Sequence, residues 1–173
     1  MSEQRWSLDA VNALDEAAFV AAFGDVAEDA PWVAAEAAAA RPFATREAMI
    51  DAFAGAVADA DPHRQKALCQ AHPDLAGRAA IAGNISDDSR KEQADAGLDR
   101  LSPDEFARFA EMNEAYRKRH GFPFIHAVRG ASKDDILAAF ASRLDNRTDT
   151  EIGRAIDHIQ RIIQYRIEDR VLP

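Results

Sequence analysis

The sequence predicts one all-α domain over residues 1–173, built from about eight helices. Three observations favour this fold class. Alanine, the best helix former, is abundant; helix-start signals recur along the chain; and runs typical of β-strands are scarce. A chain of 173 residues with 47% hydrophobic residues is of ordinary single-domain size and can bury a core.

Four helices are predicted in the first half of the chain. Asp15 and Thr45 precede two of them as N-cap residues, whose side-chain oxygens accept hydrogen bonds from the N–H groups of a first helical turn. The stretches 34–40 and 63–71 are helical by composition. Proline is disfavoured in helix interiors, and these segments are separated by Pro31, Pro42 and Pro62.

Four more helices are predicted in the second half. Ser102, followed by proline and by a glutamate three positions on, is a strong start signal, and Ser132 with Asp135 resembles it. Thr148 or Thr150 begins a last helix that runs to about residue 169. The remaining helix begins near residue 89: Ser89 and Glu92 have capping-box spacing, so Glu92 could serve only to cap it.

The run Phe122–Val128 is the one stretch with strand-like composition. It contains Pro123 and lies between Gly121 and Gly130. Because proline within a run disfavours a central strand, we predict an extended loop between two helices.

Charge and cysteine content limit the class of partner and the compartment. The formal net charge of −9 disfavours nucleic acid and anionic membranes as partners. The single cysteine, Cys69, allows no intramolecular disulfide, which suits a reducing compartment. The N-terminus lacks an apolar signal core, and no stretch is long enough to cross a bilayer, so the cytoplasm is the expected location.

His72 is the first candidate for chemistry. It stands at the end of a predicted helix and directly before Pro73, which biases the preceding residue away from helical geometry. Imidazole titrates near neutral pH, so a histidine fixed at a helix boundary can act as an acid or a base. The simpler interpretation is a helix-stop signal that happens to contain a histidine.

Arg166 and the 89–93 segment carry further polar groups. Arg166 falls within an apolar stripe of the last helix, where its charge must be paired, bind an anion, or reach water along its stem. Ser89 and Gln93 lie one helical turn apart with Glu92 beside them. Together they offer a hydroxyl, a carboxylate and an amide to the polar edge of a small heterocycle.

Other sites are poorly supported by the sequence. Cys69 and His72 have Cys-x-x-His spacing, but zinc needs further ligands and no second pair is present. His63, His120 and His158 have no companions at ligand spacing and are interpreted as surface or packing residues. No phosphate-binding glycine loop or dinucleotide fingerprint occurs.

Several short motifs occur in a specific order along the chain: His72–Gly77, Ser89-x-x-Glu92-Gln93, Asn113-x-x-Tyr116, Gly121–Ile125, Arg129-Gly130 and Arg166. The ordered set resembles the 2-oxo-4-hydroxy-4-carboxy-5-ureidoimidazoline (OHCU) decarboxylase family over nearly the whole chain. The resemblance implies an all-helical bundle, a homodimer, and no metal or organic cofactor. It also implies a small-molecule substrate, decarboxylated to (S)-allantoin in urate degradation.

The resemblance assigns roles to individual residues. His72, Glu92 and Arg166 match the family's catalytic positions. The family's substrate contacts, many of them through backbone groups, fall here on Pro73, Ser89, Gln93, Phe124, Ile125, His126, Ala127 and Val128. His126 and His120 depart from the residues more frequent in the family, which leaves the polarity of the pocket open.

Two alternatives remain open at this point. The first is a thiol hydrolase or transferase that uses Cys69 and His72. The second is a non-enzymatic helical binding module, in which Arg166 and Glu92 simply pair and His72 marks the end of a helix.

Overall fold

The computed structural model describes residues 5–173, and α-helices dominate it. The predicted all-α class is confirmed. These residues form ten helices rather than about eight; the two additional helices are the short α1 and α6, which the sequence did not predict. Within residues 5–173 the only β-type pairing is an isolated bridge between Trp6 and Val171. The helices are α1 (Leu8–Ala13), α2 (Glu16–Phe23), α3 (Trp32–Ala38), α4 (Arg46–Ala58), α5 (Pro62–Ala71), α6 (Arg78–Ile81), α7 (Asp87–Asp95), α8 (Pro103–His120), α9 (Lys133–Leu144) and α10 (Thr148–Arg170).

Four of the ten helices begin at N-caps that the sequence predicted. Asp15 and Thr45 accept hydrogen bonds from the first turns of α2 and α4. Ser102 and Ser132 form complete capping boxes at α8 and α9. Local chemistry is sufficient to begin these four helices.

The predicted start of α7 was wrong. Ser86 is the N-cap, and its Oγ accepts from the N–H of Ser89 at 3.2 Å. Asp87 and Asp88 then complement the positive end of the helix, which favours a start three residues before the expected one. Glu92 therefore lies inside the helix and does not cap it.

Two compact units can be distinguished, and the first comprises the chain up to Leu68 together with Ile159–Pro173. In this unit α3 packs against α2 and α4. Its core contains fully buried Phe19, whose ring centroid lies 5.2 Å from that of Phe23 and 6.0 Å from that of Phe53. The backbone of Trp6 bonds to that of Arg170 and Leu172, which joins the two ends of the described chain.

The second unit comprises Cys69–His158, and α8 packs against α9 within it. Its core contains Tyr116 of α8 and Phe140 of α9, together with Phe124, whose ring stacks on that of Phe140 with 3.8 Å between centroids. All the residues expected to contact substrate lie in this unit, as do His72 and Glu92. The single domain over residues 1–173 stays a prediction.

The run 122–128 forms neither helix nor strand, as expected for an extended loop. Gly121 ends α8 in the left-handed conformation, with φ of 80°, where glycine is favoured because it lacks a Cβ. Much of the loop is buried: Phe122 and Phe124 are fully buried and Ile125 is 3% exposed. His126 and Ala127 are partly exposed.

None of the helices within residues 5–173 combines the length and apolar composition that crossing a bilayer requires.

Candidate active site

His72 follows directly after α5, at the predicted helix boundary. Its backbone N–H donates to the carbonyl of Cys69 at 3.3 Å, and Pro73, which has no N–H, ends the helical pattern. The side chain is 5% exposed. The imidazole thus occupies an environment largely screened from bulk water, where its interactions are stronger than at a surface.

The turn after His72 is held by side chains from two other helices. Gln93 of α7 accepts from the N–H of Ala76 at 2.8 Å and donates to the carbonyl of Asp74 at 3.3 Å. Asn113 of α8 donates to the carbonyl of Leu75 at 2.8 Å. These bonds hold Ala76 at a φ of +52°, which costs a residue with a Cβ roughly 1 kcal/mol.

Further constraints act at the two ends of this turn. Arg117 of α8 forms an ion pair with Asp74, with 2.8 Å between Nε and Oδ1. A Cβ on Gly77 would lie 2.8 Å from the Cβ of Asp74, so this position favours glycine. The backbone beyond His72 is therefore fixed by bonds from α7 and α8.

Ser89 and Gln93 lie on the buried face of α7, at 4% and 6% exposure, and Glu92 is half-buried beside them. Because the amide of Gln93 bonds to the turn that follows His72, this face of α7 is close to that turn. The structure thus places the expected acid–base pair on two elements that contact each other. The amide of Gln93 is engaged by protein backbone at both ends.

The segment 122–128 is joined to α5 and α9 by hydrogen bonds. Gln70 of α5 donates to the carbonyl of Gly121 at 3.0 Å, at the start of the segment. Arg143 of α9 donates through Nη1 to the carbonyl of Ile125 at 2.9 Å, and its guanidinium lies 4.5 Å from the centroid of the Phe124 ring. Arg143 is 3% exposed, so its charge needs a buried partner.

Glu151 of α10 is that partner. It is fully buried, and its Oε2 lies 2.9 Å from Nε of Arg143. It also accepts from the hydroxyl of Tyr116 at 2.6 Å and the amide of Asn146 at 2.8 Å. Burial alone would raise the pKa of Glu151, but these hydrogen bonds and the charge of Arg143 hold it below its usual range.

A further contact to the segment comes from His158 of α10. Its Nδ1 accepts from the backbone N–H of Ala127 at 3.0 Å. The His158 ring also lies 4.5 Å, centroid to centroid, from that of His126, which in turn stacks on Phe124 with 5.8 Å between centroids. His158 is thus more than the surface or packing residue expected from the sequence.

Arg166 belongs to the other unit. It is 2% exposed, so its head does not reach bulk water along an extended stem. Its Nη2 lies 2.7 Å from Oε1 of Glu28, and its Nη1 donates to the carbonyl of Val26 at 3.2 Å. The apolar stripe of the last helix therefore contains a buried arginine that is paired with a carboxylate. A charged side chain within such a stripe needs a partner of this kind.

Cys69 is in a poor environment for a nucleophile. The side chain is fully buried, and burial raises the pKa of the thiol to about 12, so almost none is ionised at neutral pH. Among residues 5–173, no three His, Cys, Asp or Glu side chains are grouped so that they could hold a metal ion.

His120 has a structural role. Its Nδ1 lies 2.9 Å from the hydroxyl of Thr148, and its Nε2 lies 3.1 Å from the carbonyl of Leu144. Since a carbonyl only accepts, Nε2 carries a proton. His120 therefore joins the end of α8 to the end of α9 and the start of α10.

Sequence reasoning missed Arg143, Glu151 and His158. One signal was available for Arg143, which follows Phe140 by three residues and Ile136 by seven, on the apolar face of α9. As for Arg166, a charged side chain on the apolar face of a helix indicates a buried, paired arginine. The hydrogen bond of His158 has no sequence signal, because its partner is a backbone N–H from a distant part of the chain.

Comparison with known proteins gives concordant results. The family model described as OHCU decarboxylase matches residues 12–168. A 2-oxo-4-hydroxy-4-carboxy-5-ureidoimidazoline decarboxylase of Haloferax volcanii is 41% identical over 164 residues, which cover 95% of each chain.

Two crystal structures share the fold. That of (S)-allantoin synthase has a TM-score of 0.77 at 24% identity over 96% of this chain, which spans 54% of that chain. That of an OHCU decarboxylase in the presence of (S)-allantoin has a TM-score of 0.68 at 22% identity, covering 83% of this chain and 92% of that one.

Proposed function

The chain belongs to the OHCU decarboxylase family, and we propose that it decarboxylates 2-oxo-4-hydroxy-4-carboxy-5-ureidoimidazoline to (S)-allantoin in urate degradation. One structural observation supports this activity in addition to membership of the family. His72, the buried face of α7 beside Glu92, and the segment Phe124–Val128 belong to one compact unit and are joined through hydrogen-bonded turns.

The chemistry sets what the protein must supply. Loss of CO2 leaves an electron pair, and the conjugated carbonyl and imine groups of the ureidoimidazoline can hold that pair as an enolate-like species. The substrate therefore provides its own electron sink, a task that cofactors perform in many other decarboxylases. The protein has to orient the carboxylate, exclude water from the breaking bond and deliver a proton to one face of the ring.

We assign the proton transfer to His72 and Glu92. His72 directly follows α5 and is buried, so its imidazole can face the hydroxyl and carboxyl groups of the substrate. Glu92 on α7 orients this imidazole or exchanges a proton with it. Protonation from one side gives a single enantiomer, whereas spontaneous decay gives the racemate.

Binding of the ring and ureido groups falls to Pro73, Ser89, Gln93 and the backbone of Phe124–Val128. The burial of Ser89 and the hydrogen bond from Arg143 to the segment support this assignment. The amide of Gln93 also binds the backbone of the turn that follows His72. The family resemblance also assigns a catalytic role to Arg166, and we keep that role as part of the proposal. Within its own unit, the guanidinium is held by Glu28 and by the carbonyl of Val26.

The test is the decay of substrate generated in place by urate oxidase and hydroxyisourate hydrolase, followed by ultraviolet absorbance. Addition of the protein should accelerate the decay. We expect His72→Ala to lower kcat by about 100- to 10,000-fold, the usual contribution of a general acid or base, while helical content by circular dichroism is unchanged. A fully active His72→Ala variant would remove the role assigned to His72.

The same assay separates the alternatives. A thiol enzyme would be inactivated by Cys69→Ser, whereas the proposed decarboxylase should retain its activity, since its mechanism does not use the buried thiol. A non-enzymatic binding module would leave the decay rate unchanged at every protein concentration.

We also propose that the protein is a cytoplasmic homodimer. The family resemblance supports the dimer, and the single buried cysteine suits a reducing compartment. Light scattering coupled to size-exclusion chromatography should give about twice the mass of 18.9 kDa. A mass of one chain at micromolar concentration would contradict the dimer.

A further inference from the structure

The bond between His158 and Ala127 fixes the protonation state of the His158 ring. A backbone N–H only donates, so the Nδ1 that it contacts at 3.0 Å must accept. An imidazole whose Nδ1 accepts is neutral and carries its proton on Nε2. The neutral His158 ring can therefore make this hydrogen bond, and the cationic ring cannot.

Arg143 and His158 are two of the side chains that bond to the backbone in this part of the chain. Arg143 binds the carbonyl of Ile125, and His158 binds the N–H of Ala127, two residues further on. Arg143 stays charged at all relevant pH values, and Glu151 holds its guanidinium in place. Of these two side chains, only His158 changes its hydrogen-bonding character between pH 5 and 8.

We propose that His158 is a positioning residue for substrate binding: in its neutral form it holds the backbone at Ala127 in the conformation that the substrate requires. This inference rests on the proposed function, in which the Phe124–Val128 segment contacts substrate. When Nδ1 is protonated, two N–H donors face each other and the segment shifts at Ala127. Substrate binding then weakens as the pH falls.

Neighbouring charges modulate this titration. From the segment itself, the His126 ring faces His158, and a cationic His126 would disfavour a second positive charge. Asp135 of α9, whose carboxylate interacts electrostatically with His126, acts in the opposite sense. On α10, Arg154 and Arg161 lie one turn to either side of His158 and disfavour its cation, whereas Asp157 is adjacent and favours it.

The first test compares three variants by KM and kcat between about pH 5.5 and 8.5, the range in which histidine titrates. His158→Ala removes the acceptor and should raise KM about tenfold, the effect of one lost hydrogen bond, with a smaller change in kcat. His158→Asn places an oxygen near the Nδ1 position and cannot be protonated. It should restore KM and abolish its rise at acidic pH. His63→Ala changes an exposed histidine of α5 and is the matched control, with wild-type KM throughout.

The second test requires no activity. Nitrogen chemical shifts of the full-length protein should identify Nδ1 of His158 as unprotonated at neutral pH, and the Ala127 amide proton should shift as His158 titrates. A protonated Nδ1 at neutral pH overturns the inference, as does an unchanged KM in an active, folded His158→Ala variant. An inactive wild-type protein overturns the proposed function itself, and this outcome is distinguishable because the nitrogen shifts would still report the bond.

Discussion

Substituting Glu151 by leucine should destabilise the protein more than any surface change. Glu151 is fully buried and accepts hydrogen bonds from Tyr116, Arg143 and Asn146. Its removal leaves the guanidinium of Arg143, 3% exposed, without its carboxylate. Removing one partner of a buried ion pair typically costs about 3–5 kcal/mol, a large share of the roughly 5–15 kcal/mol of a typical domain.

Urea denaturation followed by circular dichroism measures this cost. We expect Glu151→Leu to lower the free energy of unfolding by about 3–5 kcal/mol. The matched control is Asp99→Asn, which breaks an exposed pair with Arg100 whose side chains are 53% and 74% exposed, and which should cost under about 0.5 kcal/mol. Combining Glu151→Leu with Arg143→Met removes both charges and should cost less than the sum of the single changes. Additive costs, or a loss below about 1 kcal/mol for Glu151→Leu, would refute the reasoning.

The pH dependence of unfolding gives an independent check on the same residue. The pKa of Glu151 is lowered in the folded protein from its ordinary value of 4.5, so its stabilising contribution is complete above that pH. The contribution is lost as the pH falls through 4.5 and then through the lower pKa of the folded state. Glu151→Gln should flatten this part of the stability profile, and a profile identical to that of the wild type would contradict the assignment.

Three further predictions concern the turn after His72 and the buried thiol. Gly77→Ala should cost about 1–3 kcal/mol in thermal denaturation, because the new Cβ would lie 2.8 Å from that of Asp74; an unchanged melting temperature would contradict this contact. Gln93→Leu deprives the Ala76 N–H of its acceptor, so the Ala76 amide should exchange with solvent faster, and unchanged protection would show that the bond is unimportant. The Cys69 thiol should react with a disulfide reagent only as fast as the protein unfolds, since its pKa is raised to about 12; rapid labelling of the native protein would contradict its burial.

Features that depend on neighbours in sequence were predictable. Ser102 and Ser132 accept from N–H groups three residues ahead, so the starts of α8 and α9 could be predicted from the sequence alone. At α7, Ser86 and Ser89 compete as caps, and the spacing of Ser89 to Glu92 favoured the wrong one. The short α1 and α6 contain too few residues for a clear apolar periodicity.

Features that depend on contacts across the chain were only partly predictable. The apolar stripe around Arg166 indicated a buried charge, but nothing in the sequence identified Glu28, which lies 138 positions earlier, as its partner. Arg143 likewise lies on the apolar face of its helix, α9. Its bond to the carbonyl of Ile125 joins a side chain to a backbone atom, and such contacts depend on the folded path of the loop.

The handedness of the product tests the central claim most directly. With substrate generated in place by the two upstream enzymes, circular dichroism should show (S)-allantoin when the protein is present and no net signal with His72→Ala, whose substrate decays spontaneously to the racemate. A racemic product in the presence of the folded wild-type protein would contradict stereospecific decarboxylation at this site.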